Sequence, residues 1–164
     1  MNNFTSGDKL SFHIRYGQRQ TDAVFVVDDF IARGGQAEVY SASLNGSANG
    51  SLYVIKYLFG RYASDKKKYY QKLAAMTRFP APDPGIVWPL GYTNQTAEGC
   101  FAYLMPRLTG CHSAASVINR LMRSGEGSLT VPGTLTPQQR AELCYKAAAM
   151  IGHLHKGRFI YGDI

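Results

Sequence analysis

The stretch SLYVIKYLF, Ser51 to Phe59, constrains the fold more than any other part of the chain. It is apolar, aromatic and β-branched, and it follows the polar turn NGSANG, Asn45 to Gly50. A run this short with this composition reads as a strand. Alternation along a strand sends Leu52, Val54, Lys56 and Leu58 to one face and Tyr53, Ile55 and Tyr57 to the other. One lysine therefore stands among aliphatic side chains. Such a charge needs an anionic partner or a route to water: a bound phosphate would supply the first, and an edge lysine that snorkels outward would use the second. The strand alone leaves both open.

The segments on either side fix an order of elements. Leu10 to Tyr16, Ala23 to Val27 and Phe30 to Arg33 are short β-prone runs, and the last flows into a glycine stretch within IARGGQAEVY, Ile31 to Tyr40. Glu38 to Leu44 follows as another strand, so strand, glycine turn, strand, polar turn and strand describe an antiparallel meander. From Asp65 to Met76 the period changes: Tyr69, Tyr70, Leu73 and Met76 recur at helical spacing. The prolines of FPAPDPG, Phe79 to Gly85, forbid a continuing helix, and two further strands are predicted at Ile86 to Tyr92 and Gly99 to Met105. Ser113 to Met122 suits a short helix and RSGEGSLTVPGTL a loop. In the last helix, Thr136 caps, Pro137 suits the first position, Gln139 completes a capping box and Gly157 offers the stop. Its apolar face holds Leu143, Ala147, Met150, Ile151 and Leu154. The class is α+β, strand-rich first and helical last.

Composition narrows the function classes. With 164 residues, 45% of them hydrophobic, the chain can bury one core. No run approaches the length of a membrane helix, and the first twenty residues lack a signal-peptide core, so a cytoplasmic protein with no membrane partner is expected. Cys100, Cys111 and Cys144 have neither disulfide-framework nor metal spacing, and the four histidines add no zinc pattern, so no metal site is expected. The net charge of +7 permits a polyanion partner without choosing one. Lys66, Lys67 and Lys68 before Tyr69 and Tyr70 read better as a solvated helix face than as a nucleic-acid patch. No G-x-x-x-x-G-K-[ST] occurs, which excludes a Walker-type NTPase.

A glycine turn between two strands, followed about twenty residues on by a strand ending V-I-K, resembles the protein-kinase small lobe. In that family a G-x-G-x-x-G loop covers the nucleotide phosphates, a third-strand lysine binds them, and a helix glutamate holds the lysine. Ala32, Gly34 and Ala37 stand at the loop positions here, and Tyr53-Val54-Ile55-Lys56 stands for V-A-I-K. Asp65 to Met76 is similar to the αC helix, GIVWPLG to the fourth strand, FAYLMPRL to the fifth strand and hinge, and LCYKAAAMIGHLHKGRFIYGDI to the helix entering the catalytic loop. The WP, MP and G-D-I signatures are most similar to a bacterial kinase subgroup sometimes fused to a helix-hairpin-helix DNA-binding region.

The resemblance implies a five-stranded antiparallel sheet with an αC helix, then a hinge and the first helices of a large lobe. Its divisions are an N-terminal extension (1–22), the small lobe and hinge (23–108) and the start of the large lobe (109–164). It implies ATP as ligand, with phosphates held by Gly34, Gly35 and Lys56, and the adenine pocket lined by Ile31, Val39, Val54 and Leu104. Hinge contacts come from Met105 and Arg107, because Pro106 has no N–H. Asp163 is the candidate catalytic base beside Lys56.

Two departures bear on activity. The αC glutamate position falls at Gln71, which offers a hydrogen bond but no charge. Ile164 follows Asp163 directly, so the D-F-G segment that binds Mg2+ is not in this sequence. The resemblance therefore implies the ATP-binding portion of a serine/threonine-type kinase that does not transfer phosphate to a protein substrate alone. A non-catalytic kinase-like binding or scaffold module is the alternative. Self-association through the apolar face of the last helix is a further expectation.

Overall fold

The computed structural model describes residues 2–16, 19–59, 63–110 and 136–159. The helix expected over Ser113 to Met122, the loop after it, Cys111, His112 and Asp163 lie outside these residues. The chain divides into two compact units, Met1–Arg107 and Leu108–Ile164.

The first unit contains six described strands: β1 (Lys9–Tyr16), β2 (Arg19–Arg33), β3 (Ala37–Leu44), β4 (Tyr53–Leu58), β5 (Gly91–Tyr92) and β6 (Phe101–Pro106), with helix α1 (Ala63–Met76) between β4 and β5. All pairings are antiparallel, and the order β1-β2-β3-β4-β6-β5 closes on itself as a barrel. The five-stranded sheet expected from the sequence is thus corrected to six strands without an edge. The difference comes from the segment assigned to an N-terminal extension. Lys9–Tyr16 folds back on the first half of β2 and then meets β5 through His13↔Tyr92 and Ile14↔Gly91.

That closing seam explains one glycine. A Cβ on Gly91 would stand 2.8 Å from the His13 carbonyl oxygen, closer than side chains tolerate, so only glycine lets β5 approach β1. His13 fastens the same seam: its Nδ1 lies 2.6 Å from Asp22 Oδ1 and its Nε2 2.8 Å from Asn94 Oδ1. The hydrogen bond to Asn94 and then that to Asp22, joined by the Asp22 charge, raise the His13 pKa against the opposing effect of burial.

β2 is longer than the separate runs Ala23 to Val27 and Phe30 to Arg33 because register shifts between Val27 and Phe30 and between Phe30 and Ala32 absorb extra residues without ending the pairing with β3. Asp28 and Asp29 are thereby fitted opposite Ser41, whose hydroxyl accepts from the Asp29 N–H at 3.1 Å. β5 is shorter than the predicted Ile86 to Tyr92. Pro89 has no N–H to give a ladder, and pairing begins only beyond it.

Inside the barrel, Phe12, Phe25, Val27, Tyr40, Ala42, Ile55, Ala102 and Leu104 form one buried cluster, with Tyr53 and Tyr57 packed against it. The alternation predicted for β4 holds: Tyr53, Ile55 and Tyr57 face inward, and Val54, Lys56 and Leu58 face out. At one end the N-terminal residues close over the core. Phe4 packs edge-on against Tyr40 and Tyr57, and its N–H donates to the Tyr40 hydroxyl at 3.2 Å.

Helix α1 packs on the barrel's outer face. Tyr70 meets Tyr92 and Phe101 with ring centroids 5.4 Å and 5.2 Å apart, and Leu73 and Thr77 are buried below it. Trp88 anchors the chain leaving the helix, its Nε1–H donating to the carbonyls of Met76 and Phe79. Tyr70 is thus a packing residue, while Lys67 and Lys68 are exposed, which agrees with a solvated helix face.

In the second unit, helix α2 (Pro137–Lys156) carries the capping box read from the sequence. The Gln139 N–H donates to Thr136 Oγ1 at 3.1 Å, and the Thr136 N–H to Gln139 Oε1 at 2.8 Å. At the other end the Gly157 N–H donates to the His153 carbonyl, but Gly157 keeps a φ of −74° and Arg158 takes the left-handed turn at 62°. Leu143 and Tyr145 are exposed on this helix. Among the described residues no helix is long and apolar enough to cross a membrane.

Candidate functional site

The outer face of the sheet carries a row of cross-strand partners. Ala32 of β2 pairs with Val39 of β3, Val39 with Lys56 of β4, Lys56 with Tyr103 of β6, and Tyr103 with Tyr92 of β5. Directly opposed residues in antiparallel strands share a face, so these five side chains lie in one line across the barrel. Val54 and Met105 form the next such pair. Lys56, Val39, Val54, Tyr103 and Met105 are all half-buried.

The glycine turn lies at the end of this row. Val39 is two residues from the start of β3, which places Lys56 about 7 Å along the strand direction from the turn. The turn is closed by the Gly34 N–H donating to the Ala37 carbonyl at 2.8 Å and by Phe59 N–H donating to the Gln36 carbonyl at 3.3 Å. Neither Gly34 nor Gly35 has a positive φ, and a Cβ on Gly35 would meet nothing within 4 Å. Gly35 is therefore not required by the fold of the turn. Its absent side chain leaves the backbone open to approach, and its N–H has no partner among the described residues. An oxyanion fits an uncovered backbone N–H beside a lysine.

Lys56 itself has no carboxylate within ion-pairing distance among the described residues. Its Nζ lies 5.9 Å from the centroid of the Tyr103 ring. Gln71, at the expected glutamate position, is exposed and forms no hydrogen bond with Lys56 among the described residues. The reason is helical phase: Tyr70 and Leu73 point to the barrel, and Gln71, one residue past Tyr70, turns away. Tyr69, on the side of α1 toward Tyr103, adds its charge interaction to the larger effect of burial in pushing the Tyr103 phenol up to about 12.

Three other expected site residues stand differently from the sequence reading. Leu104 is fully buried and pairs with Ile55, so it belongs to the barrel core and not to the Lys56 face. Alternation along β6 gives that face to its neighbours Tyr103 and Met105. The Arg107 N–H, expected to donate to an adenine edge, donates to the Leu52 carbonyl at 2.9 Å because the ladder between β4 and β6 runs one residue past Pro106. Met105, two residues earlier, has the same hydrogen-bonded parity and directs its backbone groups toward β4 as well. Ile31 is the residue skipped where β2 passes from Phe30↔Tyr40 to Ala32↔Val39, and its side chain is 46% exposed.

Glu38 carries a second charge near the turn, on the inner face. It is fully buried; its Oε2 accepts from the Tyr40 hydroxyl and from the N–H and Nδ2 of Asn3, the last two at 3.0 Å and 2.8 Å. Arg33 Nε stands 3.4 Å from Oε1, which lacks a well-formed hydrogen bond. Burial opposes the charge, but the hydrogen bonds from Tyr40 and Asn3 and the Arg33 guanidinium outweigh it and hold the carboxyl below its ordinary value. Glu38 thus ties the N-terminal segment to β3 beside the glycine turn.

Tyr103 and Tyr69 are the residues that reading the sequence missed. Pairing parity across β4 and β6 would have found Tyr103 once the register was known, since it is the residue opposite Lys56.

With this geometry in place, the comparisons with known proteins can be read. The crystal structure of the M. tuberculosis PknI kinase domain is similar to this chain with a TM-score of 0.64 at 15% sequence identity, covering 98% of this chain and 54% of that one. The chain has a kinase-domain-like fold. It spans about half the length of that domain. No protein-family model and no curated protein sequence matches it. The resemblance to a subgroup fused to a helix-hairpin-helix region gains no support from these comparisons.

Proposed function

We propose that the first unit is the ATP-binding portion of a serine/threonine-type protein kinase, in which Lys56 and the backbone of the Gly34-Gly35 turn hold the phosphates and Val39, Val54 and Met105 meet the base. The observation that carries this reading is the half-buried Lys56 ammonium, without a carboxylate partner among the described residues, on the face that begins at an uncovered glycine turn. A cation so placed attracts a polyanion at little desolvation cost, because it remains partly in water. ATP and its polyphosphate end fit these residues better than the adenine end does, since the Arg107 N–H is already engaged.

That engaged donor, together with Gln71 turned to solvent, supports a second reading: a kinase-like module that binds an anionic ligand without catalysis. Asp163, as base, and a protein substrate belong to the first reading alone.

Titration of the chain with ATP, tripolyphosphate and adenosine, followed by backbone amide NMR, tests the proposal. ATP and tripolyphosphate should both shift Gly35, Gln36 and Val39 and lose binding in Lys56→Met, whereas adenosine should bind weakly. Absence of saturable ATP binding, or ATP binding unchanged in Lys56→Met, overturns it. Adenosine binding as tightly as ATP would move the site away from Lys56. Transfer of phosphate from ATP to a protein substrate, abolished by Asp163→Asn, separates the kinase from the non-catalytic module.

A further inference from the structure

In the kinase arrangement the lysine that binds phosphate is held by a carboxylate on a helix. Here the group within reach of Lys56 is on the next strand. The Lys56 Nζ lies 5.9 Å from the Tyr103 ring centroid, at the outer limit of a cation–π contact. Register enforces this approach, since Lys56 and Tyr103 are directly opposed in the β4–β6 ladder. Tyr103 is in turn flanked by its β5 partner Tyr92, which packs against Tyr70 of α1.

We propose that Tyr103 is the positioning residue for Lys56: the face of its ring holds the ammonium beside the glycine turn in place of a helix carboxylate. The inference rests on the reading of Lys56 as the phosphate-binding cation. Its chemistry differs from an ion pair in two ways. A ring quadrupole orients the ammonium without neutralising it, so the full charge of Lys56 remains available to an anionic ligand. The holding group also belongs to the same sheet as the lysine, so the orientation of Lys56 does not depend on where α1 sits. Because burial, and after it the Tyr69 charge, keeps the Tyr103 phenol neutral to about 12, the ammonium meets an uncharged ring throughout the physiological range.

The test begins with the ligand-free chain. The ε-methylene protons of Lys56 should be shifted upfield by the Tyr103 ring current, retain that shift in Tyr103→Phe and lose it in Tyr103→Leu. Tripolyphosphate and ATP should then bind Tyr103→Phe as they bind the unaltered chain, and Tyr103→Leu about fivefold more weakly. Gln71→Glu should leave the affinity unchanged, because Gln71 turns away from the barrel. Thermal unfolding checks that the leucine variant is folded; should it fail to fold, the ring-current shift in the unaltered chain still decides.

An unshifted Lys56 signal in the unaltered chain, or a shift that survives in a folded Tyr103→Leu, overturns the inference. So does a Gln71→Glu variant in which Lys56 and affinity both respond, since that returns the role to the helix. A ring-current pattern as expected with no polyphosphate or ATP binding in any variant would instead overturn the phosphate reading of the site and leave the Lys56–Tyr103 contact standing.

Discussion

The two faces of strands β4 and β6 differ in how completely each satisfies itself. Inward, Tyr53, Ile55 and Tyr57 meet Leu104 and Ala102 in a closed barrel where nothing is left to bind. Outward, Val54, Lys56, Tyr103 and Met105 are half-buried and include a cation without an anion among the described residues. The same backbone carries both sets one residue out of phase. Stability therefore resides on one face and ligand chemistry on the other, and a substitution can be assigned to either by parity alone.

The largest expected effect lies on the inner face. Leu104→Ala removes a fully buried side chain and should lower unfolding free energy by about 2–5 kcal/mol in urea titration. If Leu104 lined a ligand pocket instead, the loss would be recovered by added ATP to a degree that Ile55→Ala would not match.

Glu38 sharpens the comparison with a charge on the inner side. Glu38→Gln should cost roughly 1.5–3 kcal/mol at neutral pH, because its partners Tyr40 and Asn3 lose a charged acceptor. Its folded pKa is lowered, so the stability it contributes is present above the ordinary value of 4.5 and is lost as pH falls through the lower folded value. The gap between the two proteins should accordingly narrow below that range. A gap independent of pH would remove the charge from the explanation.

Gly91→Ala attacks the seam that makes two faces possible. The new Cβ meets backbone and not the tip of a flexible side chain, so a loss of roughly 1–3 kcal/mol is expected, with faster hydrogen exchange at Ile14 and Leu104. Exchange confined to the outer face would show that the barrel does not depend on this closure.

Lys56→Met should have the smallest effect on stability, within about 0.5 kcal/mol, since the stem packs alike and no ion pair to a described residue is broken. Its consequence belongs to ligand binding. A large destabilisation would make Lys56 a structural residue and reverse the contrast between the faces.

Much of the local structure was legible in the residues. The alternation of Ser51 to Phe59 separated Lys56 from Ile55 correctly, and the Thr136–Gln139 capping box formed as read, because strand parity and helix caps depend on neighbours a few positions away. Leu104 and Arg107 were misplaced for one shared reason: their roles depend on which β4 residue each faces, and that is a matter of register between segments about fifty residues apart. Gln71 was misassigned because counting back from Phe79-Pro80 fixed a position but not the helical phase that Tyr70 and Leu73 impose by packing.

By itself the sequence determined the succession of strands and helices, the face on which Lys56 stands and the openness of the glycine turn. Tertiary structure decided that residues 9–16 close the sheet into a barrel, that Gly91 admits the closure, and that Tyr103 is the partner of Lys56. Local preferences act through bonds and adjacent side chains and are written in short stretches. Closure and partnership come from the mutual fit of distant segments, where buried area and backbone hydrogen bonding select one register from many.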